Sequence, residues 1–419
     1  MRGTAVARER IDASTAARLT VLASATFVYV TFEVFPVGLL QDIARSLDVS
    51  AGRVGLLISG YAVVAALVTV PTVALAARVS RGTALVVSLL VLVAAEVLAA
   101  AATDFSTMVV SRVAAALTHG VLWSLIAPAA ATLVPRERVG TATAAVFGGS
   151  TLAAIVGSPG TTLIGELIGW RATALVLAAA TVAVTLGLVW ALGLRGRAPR
   201  PTAEEPQGPA ESAQGAVPWP RVLVLCAVAV VLITAHFLSY TYFAVLVTDI
   251  TGTSAAVVAL LAAFGLAGAV GTYLVGRYND TSPQRAAVVT IAVFAVGVGL
   301  LALAPALGSY PVRSAAAAVA VALWGGAFAA AGPVFQTGVM RLAGKDADRA
   351  SSVYVTGFQI GIAGGSALGA ALLSHSSLWL PVTSTALVAV VLLAVLVRRP
   401  VPAADEPGDR RPELCPQEH

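Results

Sequence analysis

The stretch TFEVFPVGLL, residues 31–40, sets an acid in an apolar run: from Leu19 to Leu40 the only formally charged side chain is Glu33. Holding a carboxylate at membrane depth costs free energy, so such acids are rare and mark ion or proton paths. Tyr29 and Thr26 lie four and seven residues before Glu33, on the same helical face. A carboxyl on a cavity-facing surface can load a proton on one side and release it on the other. A substrate cation could compete for the same group. The competing role is a structural hydrogen bond near the outer end of the helix.

Arg112 is the natural counter-ion, the only basic residue inside an apolar run, with His119 and Trp123 seven and eleven residues on along its face. Paired with Glu33 it would bias the acid towards ionisation; alternatively it snorkels to the interface. His119 could line the cavity as a titrating group or pack as a hydrogen-bonded histidine. His236, Tyr240 and Phe243 share a polar-aromatic face suited to sugars or flat drug rings, or form an aromatic packing stripe. Ser352, Thr356, Gln359 and Ser366 line one face of a later helix, with Gly357, Gly361 and Gly364 on the other. Gln336 offers a second amide to the cavity, or caps packing near the cytoplasmic end. Glu96 has no evident partner; it reads as a structural contact at a helix interface, with a second proton site as the other reading. Gly148, Gly157, Pro159 and Gly160 fall in one apolar segment. Glycines allow close helix approach and proline breaks the backbone ladder, so this segment reads as a gating helix.

The elements that must position these groups follow from composition. The chain is 58% hydrophobic and 11% charged, against about 45–50% and about 25% for soluble domains. That excludes a large soluble core. Runs of about 20 apolar residues predict spans at roughly 18–40, 54–77, 83–103, 107–133, 140–164, 172–194, 221–247, 255–277, 285–305, 314–339, 350–373 and 378–397. They fall into two sets of six. The expected organisation is a cytoplasmic segment 1–17, a six-helix bundle 18–194, a Pro- and Gly-rich cytoplasmic linker 195–220, a second bundle 221–397 and a disordered cytoplasmic tail 398–419. The fold class is thus all-α, twelve transmembrane helices in two bundles.

Charge sets the orientation. With the N-terminus inside, 21 of the 26 basic residues fall in cytoplasmic segments, four fall outside and Arg112 lies within a span. This asymmetry predicts both termini cytoplasmic in a multi-pass cell-membrane protein. It also removes the case for a nucleic-acid partner, because the charge is spread over short loops. No short apolar core precedes an A-x-A-like site, so no cleaved signal peptide is expected. Cys226 and Cys415 are not expected to pair, and no spacing suggests a metal. No Ser-His-Asp arrangement or phosphate-binding glycine loop stands out, and GxxxxGK[ST] is absent. The chain is therefore read as neither an enzyme nor an ATP-driven pump, and no cofactor is expected.

Several stretches together resemble the major facilitator superfamily, over roughly residues 18–397. EVFPVGLLQDIARSLDVS matches its first-span pattern of an acid before Pro-Val-Gly-Leu-Leu. RVAAALTHGVLWSL resembles the fourth-span arginine motif, and GGSTLAAIVGSPGTTLIG with the following GWR resembles the fifth-span antiporter motif. HFLSYTYFAVLVTDITG and FQTGVMRLA are similar to seventh- and tenth-span patterns of the twelve-span drug:proton antiporters, near bacterial arabinose and sugar efflux permeases and chloramphenicol exporters. The loop after the second span departs from the family: it carries Arg78 and Arg81 but no acid. The second copy keeps Gly276, Arg277 and Asp280, with Thr281 where Arg is usual, and Gln359 stands where Asn is common. The resemblance implies a secondary transporter exporting a sugar or drug-like compound by proton antiport, working by alternating access as a monomer. In it Glu33 and Arg112 would couple the proton, and Arg78, Arg81, Gly276, Arg277 and Asp280 would form a cytoplasmic latch. A proton-independent facilitator or uptake permease for a sugar-like solute is the alternative; a non-transporting membrane sensor is the third class.

Overall fold

The computed structural model describes residues 12–135, 139–192, 217–279, 281–343 and 347–402. Most of the expected linker and tail, and Asp280, lie outside them. The described residues contain twelve helices long and apolar enough to cross a membrane. The chemistry of the bilayer makes helices the natural outcome, because every backbone polar group must be satisfied within its own segment.

The first half comprises α1 (Ala13–Ser46), α2 (Ala51–Ala76), α3 (Arg81–Ala100) and α4 (Phe105–Ala131). Its fifth span is α5 (Val139–Leu152) running through a π turn at Ala153–Gly157 into α6 (Ser158–Ile168), and α7 (Trp170–Leu192) closes the set. The second half comprises α8 (Trp219–Tyr240), the short α9 (Phe243–Thr251), α10 (Ala256–Tyr278) and α11 (Pro283–Leu303), then α12 (Tyr310–Ala343), α13 (Ala347–Leu373) and α14 (Trp379–Arg398).

Local chemistry sets the helix starts. Asp12, Ser50, Ser80 and Asp104 each cap a helix by accepting from the backbone N–H three residues on. Such caps satisfy orphan donors at the helix entrance. The Thr107 amide and hydroxyl hold the Asp104 carboxyl below its ordinary range. Gly169, at φ 86°, supplies the left-handed corner that turns α6 into α7.

Three spans depart from regular helix: α1 has a non-helical residue at Leu39 (φ −109°, ψ 15°), and the fifth and seventh spans are broken. Pro159 has no N–H to return to Ile155, and the helix relaxes into the π turn immediately before it. The break between α8 and α9 falls at Thr241 and Tyr242, with neither Pro nor Gly present. Tertiary bonds fix it: the Thr241 hydroxyl bonds that of Ser366 at 2.7 Å, and Tyr242 Oη donates to the Ser366 carbonyl at 2.9 Å.

Each half has its own apolar core, and the two cores exchange members towards one end. Val37, Ile58 and Ala62 from the first half pack into the core of the second, while Tyr242 and Leu246 pack into that of the first. The joined end carries the turn between α1 and α2, opposite the entrance of α1. There Tyr242 lies over Gly55, where even a methyl group would overlap its phenol ring. Gly55→Val is therefore expected to prise the halves apart at this end. Spin labels on Ala51→Cys and Ser374→Cys, in a Cys415→Ser background, check this; an unchanged interlabel distance would count against it.

Candidate functional site

The site grows from a proline. Pro36 removes the N–H that would have bonded the Phe32 carbonyl, and its ring crowds that carbonyl. A bare carbonyl at membrane depth is costly. Arg112, on α4, answers it: Nη1 donates to the Phe32 carbonyl at 2.7 Å and Nη2 to the Glu33 carbonyl at 2.6 Å. The guanidinium also lies over the rings of Phe32 and Tyr61. Arg112 is 2% exposed, so it does not snorkel. Nor does it pair with the Glu33 carboxylate, as the sequence suggested. It holds the backbone that carries Glu33.

The Glu33 carboxylate makes no hydrogen bond among the described residues, and its side chain is 18% exposed. His119 Nδ1 lies 3.8 Å from Glu33 Oε2. His119 is held from two sides. Tyr61 Oη lies 2.9 Å from Nδ1, and Gln359, reaching over from α13 in the other half, places its amide nitrogen 2.8 Å from Nε2. The amide oxygen of Gln359 is buried with no partner. Amide oxygen and nitrogen are interchangeable by rotation. One orientation donates to a bare Nε2 and the other accepts from Nε2–H, so Gln359 can serve His119 in either protonation state.

The remaining candidates divide. Trp123 stacks on Phe147 and borders His119, in the same central region. Tyr29 does not open onto a cavity: it is buried and donates to the Ala115 carbonyl at 2.6 Å, tying α1 to α4. Thr26 does the same towards α5, donating to the Val146 carbonyl at 2.7 Å. His236, Tyr240 and Phe243 are buried inside the second half, where His236 Nδ1 accepts from Trp324 Nε1 at 3.1 Å and its ring stacks on Phe328. That is the packing stripe rather than an open sugar-binding face. Gln336 is half-buried on α12.

In the gating segment, Gly157 touches Thr31 closely enough that no side chain would fit, whereas Gly148 and Gly160 have open space beside them. The close approaches extend to two glycines the sequence reading passed over: Gly149 against the Ala23 carbonyl, and Gly265 of α10 against Ala154 and Ile155 of the π turn. Of the latch group, Arg78 is exposed and Arg81 half-buried, and neither forms an ion pair among the described residues. Gly276 falls in α10; the side chains of Arg277 and Ser352 lie outside the description, as does Asp280.

Glu96 finds its partner on α7: Thr181 Oγ1 donates to Oε1 at 3.0 Å, while Oε2 is buried without a partner. This contact joins α3 and α7 and involves none of the groups around His119. Glu96→Gln keeps an acceptor for Thr181 and is expected to leave the pH profile of transport unchanged. A shifted or lost pH dependence in that variant would make Glu96 a proton site.

Twelve membrane-crossing helices in two halves, with an acid, a histidine and an inter-half amide meeting between them, define a multi-pass membrane transporter rather than an enzyme. Residues 21–361 match the Major Facilitator Superfamily, and the chain belongs to that family. A chloramphenicol efflux pump of Mycobacterium tuberculosis is 39% identical over 398 residues, covering 91% of this chain and 92% of the relative. A Mannheimia succiniciproducens protein named "Probable sugar efflux transporter" is 30% identical over 362 residues, covering 86% and 88%. Among solved structures, a bacterial homologue of the human lysosomal transporter Spinster shares the fold with a TM-score of 0.72 at 13% identity, covering 94% of this chain and 98% of that one. A POT family transporter in complex with 5-aminolevulinic acid gives 0.71 at 11% identity, covering 92% and 96%.

Tyr61 escaped the sequence reading. A signal existed: a tyrosine hydroxyl inside an apolar run needs a hydrogen-bond partner, and membrane histidines are few in this chain. The bare Phe32 carbonyl was legible from Pro36 by simple counting; that Arg112 answers it was not.

Proposed function

We propose that this chain exports an uncharged or cationic small molecule across the cell membrane in exchange for protons, by alternating access, with both termini cytoplasmic. The observation that carries the reading is the Glu33 carboxylate, without a hydrogen bond among the described residues and 3.8 Å from a histidine that is itself bonded across the two halves. A proton arriving at Glu33 changes the charge beside His119, and with it the contact to Gln359. That couples protonation to the relation between the halves. Export of a chloramphenicol-like drug or a sugar is supported by the names of the two relatives. Arg112 keeps the carboxyl in place throughout the cycle, and a monomer is sufficient for it.

The test is substrate-driven proton movement in proteoliposomes, over a panel of chloramphenicol-like drugs, sugars and lipophilic cations. Proton release on substrate addition supports antiport. Clear substrate flux with no proton movement would replace it with a facilitator.

A further inference from the structure

Beside Gln359 in sequence, the second half forms a half-open cavity of about 170 Å³ between α8, α12 and α13. Ile233, Phe328, Phe335, Tyr354 and Phe358 line it, and Gly332 forms part of its wall. No charged residue borders it. Three further observations bear on its occupant. A side chain at Gly332 would meet nothing within 4 Å, so the glycine leaves space rather than filling a close helix contact. Tyr354 is 5% exposed, yet its hydroxyl makes no hydrogen bond among the described residues. Phe358 directly precedes Gln359 on α13, so the cavity lies a fraction of a turn around the helix from the inter-half bond.

We propose that this cavity is a subsite for an uncharged aromatic ring of the transported molecule. A volume of about 150 Å³ is enough to hold a benzene ring, so the space here suits one ring. The surrounding Phe and Tyr rings offer edge and face contacts to it. The free Tyr354 hydroxyl answers one polar substituent on the ring. A sugar ring is excluded from this space, since its hydroxyls would be desolvated against partners that cannot bond them. With the ring seated here, the polar remainder of the molecule lies towards Gln359 and Glu33, where its binding can bear on the proton site. The substrate class is therefore a neutral aryl compound with a polar tail. This rests on the export reading only for the word "transported"; the cavity itself is tested by binding.

The experiment is photolabelling of the full chain in nanodiscs with tritiated 4-azidobenzyl alcohol, followed by peptide mapping. Wild type is expected to carry label on the α8, α12 and α13 segments that line the cavity. Gly332→Leu fills the space and is expected to reduce that label by about tenfold or more, the worth of burying one ring. Gly332→Ala, whose methyl enters open space, serves as the folded control and retains most of the label. Tyr354→Phe weakens labelling without abolishing it. Label mapping elsewhere, or label unchanged in Gly332→Leu, overturns the subsite and leaves proton-coupled export standing. Label as expected in a protein that moves no protons with substrate sustains the subsite and overturns the antiport reading instead.

Discussion

Glu33→Gln is expected to abolish the response of export to a pH gradient while leaving the substrate bound. Glutamine matches glutamate in shape, so Arg112 still finds the Phe32 carbonyl and the backbone carbonyl of residue 33. What disappears is the ability of position 33 to change charge 3.8 Å from His119. Coupling between two sites is typically worth about 5–150-fold in affinity, and the proton-driven acceleration of transport should fall by a factor in that range. Substrate affinity at high pH should fall if the substrate is a cation attracted to the carboxylate, and stay level if it is neutral. Counterflow without a gradient should survive. Proteoliposomes loaded at two pH values, wild type against Glu33→Gln, measure all three quantities. Retained proton-driven export in the variant would make Glu33 a structural residue and move the search to His119.

Arg112→Ala is expected to be among the most destabilising single changes in the chain. It strips the donors from two carbonyls one turn before Pro36 and opens a void beneath Phe32 and Tyr61. Leaving a buried carbonyl without its donor costs about 1–3 kcal/mol for each group, and the void adds to it. Arg112→Lys should recover little, since one ammonium cannot present the planar fork that reaches both carbonyls. The informative variant is the double one. Pro36→Ala restores an N–H four residues after Phe32, and the helix can then close that bond itself. Pro36→Ala should therefore rescue part of the Arg112→Ala loss, about 1 kcal/mol, the net worth of a typical hydrogen bond. Thermal unfolding of the purified protein around this double-mutant cycle reads the interaction directly. Strict additivity of the two changes would show that Arg112 does not stand in for the missing backbone bond.

The number and order of the membrane helices were legible because the bilayer leaves so few alternatives: an apolar run of the right length becomes a helix, as with α3 and α11. Their breaks were only half legible. Pro159 announces the disturbance at Ala153–Gly157, but nothing local marks Thr241 and Tyr242, whose break is held by Ser366 from 124 residues away. The same distinction runs through the site. Glu33, Arg112, His119 and Gln359 stood out because polar groups in apolar runs need reasons. Their pairing did not, because it depends on how helices rotate against one another. Charge complementarity pointed Arg112 at the Glu33 carboxylate; the local deficit at Pro36 claimed it first. His236 and Tyr240 formed a plausible binding face by spacing, yet spacing does not say whether a face looks into a cavity or into its own bundle.

The joined end of the two halves has a consequence for the energetics of the cell. Val37, Ile58, Tyr242 and Leu246 pack that end with hydrocarbon and one phenol ring. Protons cross membranes along chains of water, and a dry seal offers none. An apolar seal of this kind is expected to insulate the membrane while the protein waits for substrate. Loosening that seal, as at Gly55, is expected to be harmful first as a short circuit that dissipates the proton gradient, and only afterwards as a loss of export.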